Sequence, residues 1–253
     1  MLRYRLGKGC FSWSGRLVAA GLLAVAVAGC KNETVKVEPA DTNYYPLAVG
    51  DYRVYNVVDT TWTRNVKSYN RFQFRERVAE EYVDNTGRQT FRIVRSRRAT
   101  TADVWLDDSV LVVSPAPGNV LVTRNNNRRV ELIFPVREGY WNANAFNNQN
   151  SIKDENLHYI RVGEPFTATS GTVSVTYPKT LTTSTPDGLE ETEYVNAFYY
   201  YRVRQVYAQN EGPVYRSRRR FIYCEPGNGG CIPSPSVIYS GISRTEILVE
   251  KGR

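Results

Sequence analysis

Along most of the chain, apolar and polar residues alternate with a period of two, the pattern of a strand with one face buried. Gly50-Asp51 turns into a strand over Tyr52–Val58, and Phe72, Phe74, Val78 and Tyr82 mark one face of the next. Arg75–Tyr82 holds good helix formers but continues that alternation, so it reads as strand. Phe91 and Ile93 alternate with Arg92 and Val94, and the run Val110–Val113 is stopped by Ser114-Pro-Ala-Pro-Gly118. Val120–Thr123 and Val130–Phe134 flank Arg124-Asn-Asn-Asn-Arg-Arg129, which predicts a hairpin with an Asn-rich turn. Further strands are predicted at Leu157–Val162, Thr172–Tyr177, Tyr194–Tyr207, Val214–Cys224 and Val237–Val249. Without intervening helices these elements form an antiparallel meander, which must hide its edges or close on itself. The expected fold is all-β: one antiparallel, strongly curved sheet or open half-barrel over residues 44–253, with a two-sheet β-sandwich as the alternative.

The first 43 residues do not share this pattern. Arg3, Arg5, Lys8 and Arg16 precede an apolar and glycine run from Leu17 to Ala28, too short to span a bilayer. A basic segment, a short apolar segment and small residues make a secretory signal over residues 1–29. Val27-Ala28-Gly29-Cys30 resembles a bacterial lipobox. That resemblance implies cleavage before Cys30 and acylation of it (palmitate among the chains), and two or more acyl chains anchor a protein stably. Residues 30–43 then form the acylated Cys and a polar tether with a reach of ~20 Å. No Asp follows Cys30, and Lys31-Asn32-Glu33 partly resembles a surface-export signal. The expected location is the outer membrane, lipid-anchored, with the periplasmic and surface faces both open.

Composition agrees with a globular β-rich chain and narrows its chemistry. Of 253 residues 42% are hydrophobic and 23% charged, and 18 Tyr against a single Met favours strands over helices. Four of the 33 basic residues and none of the 25 acidic ones leave with the signal, so the formal charge falls from +8 to +4. An exported protein does not meet the chromosome, so nucleic acid is excluded as a partner. The Arg clusters (Arg92, Arg95, Arg97, Arg98 and Arg216, Arg218, Arg219, Arg220) read first as solvated strand faces. The sharper reading is contact with phosphate-bearing headgroups or acidic glycans. In Asn196–Tyr207, Tyr199, Tyr201, Val203 and Tyr207 form a core-like face, and Phe198, Tyr200, Arg202, Arg204 and Val206 a mixed face that reads as exposed cross-strand stacking.

Cys10 leaves with the signal and Cys30 takes lipid, which leaves Cys224 and Cys231 around a Pro/Gly loop. In an oxidising compartment these two form a local disulfide staple. Two Cys and one distant His cannot complete a zinc site, so no metal and no cofactor is expected.

Catalytic signatures are absent. There is no Gly-x-Ser-x-Gly elbow and no phosphate-binding glycine loop. His158 reads as a satisfied strand histidine, and Glu80-Glu81 and Glu190-Glu191 as adjacent residues on opposite faces. Asp107-Asp108 is placed at a turn. The chain is therefore expected not to be an enzyme.

Three segments carry a family resemblance: Tyr45-Pro-Leu-Ala-Val-Gly-Asp-Tyr-Arg-Val-Tyr55, Leu132-Ile-Phe-Pro-Val-Arg-Glu-Gly-Tyr-Trp-Asn-Ala-Asn-Ala-Phe-Asn147 and Val206-Tyr-Ala-Gln-Asn-Glu-Gly-Pro-Val-Tyr215. They resemble Bacteroidota-type outer-membrane lipoproteins with a β-rich domain of unknown function. Pro213 departs from the aliphatic residue that pattern places after its Gly, and the resemblance carries no functional residues with it. The expected function is that of a non-catalytic, lipid-anchored envelope protein binding a ligand or an envelope partner complex. A lipid or lipoprotein carrier with an apolar groove is the alternative, and glycan binding or hydrolysis at the surface comes behind it. Trp141, Asn142 and Asn144 are the candidate ligand contacts, because an aromatic ring beside amides can grip a sugar. The competing reading makes Trp141 a plug at the end of the sheet, led there by Leu132, Phe134 and Val136.

Overall fold

The computed structural model describes residues 42–253 apart from 148, 150, 187–193, 226 and 228. All of these belong to one compact unit, Pro39–Arg253. The expected signal segment 1–29, Cys30, most of the expected tether and Glu190-Glu191 lie outside the described residues.

After a 3-10 turn at Thr42–Tyr44 come β1 (Tyr52–Thr63), β2 (Val66–Val83), β3 (Gln89–Arg98), β4 (Leu106–Ala116), β5 (Asn119–Arg124), β6 (Asn127–Ile133) and β7 (Tyr140–Asn142). The chain continues with β8 (Asn156–Ile160), β9 (Phe166–Ser170), β10 (Val173–Tyr177), β11 (Thr180–Ser184), β12 (Tyr199–Ala208), β13 (Gly212–Ile222) and β14 (Ser240–Gly252). Twelve strands form one antiparallel sheet in the order β6-β5-β4-β3-β2-β1-β14-β13-β12-β11-β8-β7, and β9 and β10 pair only with each other. Two tight hairpins carry the residues their geometry demands. Arg64-Asn65 and Asn125-Asn126 all have positive φ (47°, 64°, 50° and 58°), as a two-residue turn matched to strand twist requires.

The sheet is one curved layer, not a sandwich, and it nearly closes. Its edge strands β6 and β7 face each other across a seam, where the Val130 N–H donates to the Ala143 carbonyl at 2.8 Å. The Tyr159 hydroxyl accepts from the Ile133 N–H at 2.9 Å and donates to the Ile133 carbonyl at 2.8 Å. These bonds occupy backbone groups that an open half-barrel would leave bare.

The concave face divides into two levels. One is apolar: Val78, Phe91, Ile93, Leu111, Val113, Val120, Leu181 and Tyr207 pack together with Tyr44 and Tyr45 from the entering chain. The other level, along the same strand faces, is charged and forms the site described below. On the outer side the β9–β10 hairpin lies over β12–β14, with Ala168 and Tyr177 in a cluster with Val206 and Ala208 and with Tyr215 and Ile247 packed against it. Phe166 meets Tyr215 at 5.4 Å, and Asn56 Nδ2 donates to Ser170 Oγ at 2.8 Å.

Several strand expectations need correction. Asp107-Asp108 is not a turn: it lies within β4, where a register shift opposite Arg95/Ser96 absorbs the extra residue. Tyr140–Asn142 pairs with β8 as a strand, and Thr180–Ser184 is a strand buried at every position, so it shows no alternation. Strand β12 starts at Tyr199 rather than Tyr194, because Tyr194 turns back and its carbonyl accepts from the Tyr201 N–H at 2.6 Å.

Candidate binding cavity

The charged level is built by a simple sequence device repeated on several strands: a charged or amide side chain two positions from an apolar residue on the inward face. On β2 the series is Phe72, Phe74, Glu76, Val78; on β3 it is Phe91, Ile93, Arg95; on β12 it is Tyr201, Val203, Gln205, Tyr207. Arg216 follows Val214 on β13, Glu246 precedes Leu248 on β14, and Arg124 follows Val122 on β5. The strand period delivers all of these side chains to the interior.

At the centre, Glu76 accepts a forked pair from Arg216, 2.9 Å from Nη1 and 3.0 Å from Nη2, and a further bond from Arg95 Nη2. Arg216 Nη1 also reaches Glu246 at 3.0 Å, and its guanidinium lies over the Tyr55 ring at 4.8 Å. Glu76, Arg95 and Glu246 are each only 3% exposed. Burial by itself would raise the Glu76 carboxyl, but Arg216 and Arg95 hold it well below the usual carboxylate range. Glu246 is lowered against burial by the same two arginines. Burial works against the Arg216 cation, yet Glu76, Tyr55 and Glu246 push its pKa well up.

A second cluster stands beside the seam. Arg129 pairs with Glu155 and donates to Asn144 Oδ1 at 3.0 Å, and Tyr201 donates to the other Glu155 oxygen at 2.6 Å. Gln205 Nε2 donates to Glu131 Oε2 at 2.5 Å. The Tyr207 hydroxyl lies within hydrogen-bond reach of both Glu131 and Gln205. Burial raises the Tyr207 hydroxyl far above its ordinary range, and Glu131 adds to it, so the group stays a neutral donor.

Between the clusters lies open space. A cavity of about 760 Å³ is bounded by Arg124, Arg129, Arg216, Arg218 and Arg244, by Asp59, Glu131, Glu155 and Glu246, and by Tyr201, Val203 and Gln205 among others. A smaller recess of about 430 Å³ shares Asp59, Arg124, Asn125 and Arg244 with it. Arg244 forks onto Asp59 at 2.7 Å through both Nε and Nη2. Arg124 differs from its neighbours, for among the described residues its guanidinium has no ion pair and no hydrogen bond. Desolvation, with Arg95 and Arg216 nearby, pulls its pKa down to about 10, which leaves it cationic at neutral pH.

The residues singled out in the sequence sit as follows. Trp141 is half-buried on β7: its indole N–H donates to the Val130 carbonyl at 3.0 Å and its ring meets Tyr159 at 4.9 Å. Asn142 donates to Asp154 and its Oδ1 accepts from the Asn144 and Glu155 amides. Asn144 reaches the cavity wall through Arg129. Of the three candidate contacts, only Asn144 therefore lines the cavity. Cys224 and Cys231 are disulfide-bonded, with Cα atoms 5.8 Å apart. His158 stands in β8 as expected, packed against Tyr140, but its buried Nδ1 has no hydrogen-bond partner among the described residues. The arginine clusters are not uniformly solvated faces: Arg92 pairs with Glu80 in the open, whereas Arg95 and Arg216 are buried in the central network. Among the described residues no three His, Cys, Asp or Glu side chains gather to hold a metal ion.

No family model matches the chain, and no curated protein does. Among solved structures, the chain is similar to a protein of Parabacteroides distasonis ATCC 8503 provisionally described as a lipoprotein. Identity is 9%, the match covers 83% of this chain and 98% of that one, and the TM-score is 0.40.

Proposed function

We propose that the protein is a lipid-anchored envelope protein, held at the outer membrane through Cys30, whose barrel binds a small polar ligand without transforming it. The observation that carries the ligand reading is the 760 Å³ space left within a nearly closed sheet and walled by charged side chains. Charges are placed in an interior at considerable desolvation cost, so a hollow lined with them suits a ligand of complementary polarity. An acyl chain in this space would have to desolvate nine charged side chains of its walls, which weighs against the lipid-carrier alternative. Glu76, Glu155 and Glu246 are all held as carboxylates by arginines, which removes them as proton donors near neutral pH and supports a non-catalytic role. The lipobox-like Val27-Ala28-Gly29-Cys30 supports the anchor.

Native mass spectrometry of the lipoprotein extracted from membranes in mild detergent tests the ligand reading. A releasable small-molecule adduct is expected, absent from a folded Val203→Trp variant that fills the cavity. Protein that carries no adduct and binds no small molecule in titration overturns it. Metabolic labelling with palmitate tests the anchor: Cys30→Ser is expected to abolish incorporation, and undiminished labelling ends that reading.

A further inference from the structure

The smaller recess has an unusual balance of charge and bonding. Its walls carry four arginines, Arg95, Arg97, Arg124 and Arg244, against Asp59 and Asp108. Asp59 is already forked by Arg244, and Asp108 accepts from its neighbour Ser109 Oγ at 2.9 Å. Positive charge is therefore in excess. The arginines are also held in a way that leaves donors unused. Phe72 and Phe74 meet edge to face at 4.9 Å, and Arg97 lies over the Phe72 ring at 4.1 Å, Arg95 over Phe74 at 4.5 Å. A guanidinium stacked on a ring is positioned by its π-face, and its N–H groups, which lie in the plane, remain free to donate. Arg97 and Arg124 have no hydrogen bond or ion pair among the described residues. Arg95 uses Nη2 on Glu76, with Glu246 3.7 Å away, and its buried Nε has no hydrogen-bond partner among the described residues.

We infer that this recess binds a phosphoryl group, gripped by Arg97 and Arg124 from two strands, with the rest of the ligand lying in the larger cavity. The inference rests on the ligand-binding reading above and names its ligand class. A planar carboxylate forked by one arginine takes only a single further bond from another, as Glu76 does from Arg95 beside the Arg216 fork. A tetrahedral oxyanion has acceptors left for a second fork approaching from another direction. Asn125, at the β5–β6 turn beside Arg124, supplies a neutral amide on the same wall.

The experiment is calorimetric titration of the full-length lipoprotein in detergent with inorganic phosphate at low ionic strength. Saturable one-to-one binding is expected, weakened about tenfold or more in Arg124→Gln and in Arg97→Gln, the scale of one charge-assisted contact. Arg92→Gln, outside the recess, should bind as wild type does. Equal affinity in wild type, Arg124→Gln and Arg92→Gln overturns the site, and so does malonate bound as tightly with the same dependence on Arg124. Glycerol phosphate and dioctanoyl phosphatidylglycerol separate the sources of the group. Tighter binding of the lipid assigns a headgroup, whereas loss of binding when acyl chains are added assigns a free phosphoester. If the extracted protein carries an adduct yet ignores phosphate, this inference fails and the cavity reading stands; absence of both removes both.

Discussion

Trp141 donates its indole N–H to the backbone carbonyl of Val130 across the seam where the two edges of the sheet meet. The bond, the adjoining Val130–Ala143 backbone bond and the contact with Tyr159 make Trp141 a clasp on the closure. A buried hydrogen bond contributes ~1 kcal/mol and an aromatic pair ~0.5–1.5 kcal/mol beyond area. Because the ring is half-buried, Trp141→Ala should cost roughly 2–4 kcal/mol, less than truncating a fully enclosed aromatic. Urea unfolding measures it, and Trp141→Phe should lose less because the ring contact survives. A Trp141→Ala protein with the wild-type midpoint would overturn the clasp.

How much of this was legible follows from where period-two reasoning applies. The alternation of Phe91, Ile93 and their neighbours placed β3 correctly and gave it an inner face. The same alternation, carried two positions further, puts Arg95 on that face, but a run of four arginines within seven residues reads more naturally as solvated. The missed signal is common to Glu76, Arg95, Gln205, Arg216 and Glu246: each continues an apolar face in register. What sequence could not supply is the partnering, since Glu76 meets Arg216 across 140 positions of chain. Strand β11 was invisible for the opposite reason: Thr180–Ser184 is buried on both faces and polar on both.

Glu76 and Arg124 should respond oppositely to neutralisation. Glu76→Gln leaves the buried Arg216 and Arg95 cations without the carboxylate charge they share, and breaking a buried ion pair costs ~3–5 kcal/mol. Arg124→Gln removes a desolvated cation that stands near Arg95 and Arg216 and has no hydrogen-bond or ion-pair partner among the described residues, so thermal stability should hold or rise. A large drop in the Arg124→Gln melting temperature would mean that the guanidinium has a structural partner.

Acid should unfold the protein through the same network. Burial favours the protonated form of Glu76, Glu155 and Glu246, yet the arginines lower all three, most strongly for Glu76. Folded values below the unfolded ~4.3 mean that the unfolded chain binds more protons as pH falls. The stabilisation is therefore complete above about pH 5 and is lost progressively below about pH 4.5. Urea midpoints taken from pH 7 to pH 3 should be level at first and then fall. A midpoint still level at pH 3 would show the carboxylates to be unpaired in solution.

The Cys224–Cys231 bridge closes a short loop in the β13–β14 connection, and the far end of that connection, beyond the crosslink, docks on the β1–β2 turn. There the Arg64 N–H donates to the Tyr239 carbonyl at 2.6 Å and the Asn65 N–H to the Ile238 carbonyl at 2.8 Å. Asn65 Oδ1 returns a bond, accepting from the Ile238 N–H at 3.1 Å. Chain entropy places the effect of so short a crosslink near ~2.5 kcal/mol. The barrel strands do not depend on it, so the consequence of Cys224→Ser with Cys231→Ser should be regional. Hydrogen exchange should speed at the Arg64 and Asn65 amides while the core amides of Val57 and Ile93 keep their protection, with a modest fall in melting temperature. Equal loss of protection at Val57 would instead make the bridge a determinant of the whole sheet, because only global unfolding exposes that residue.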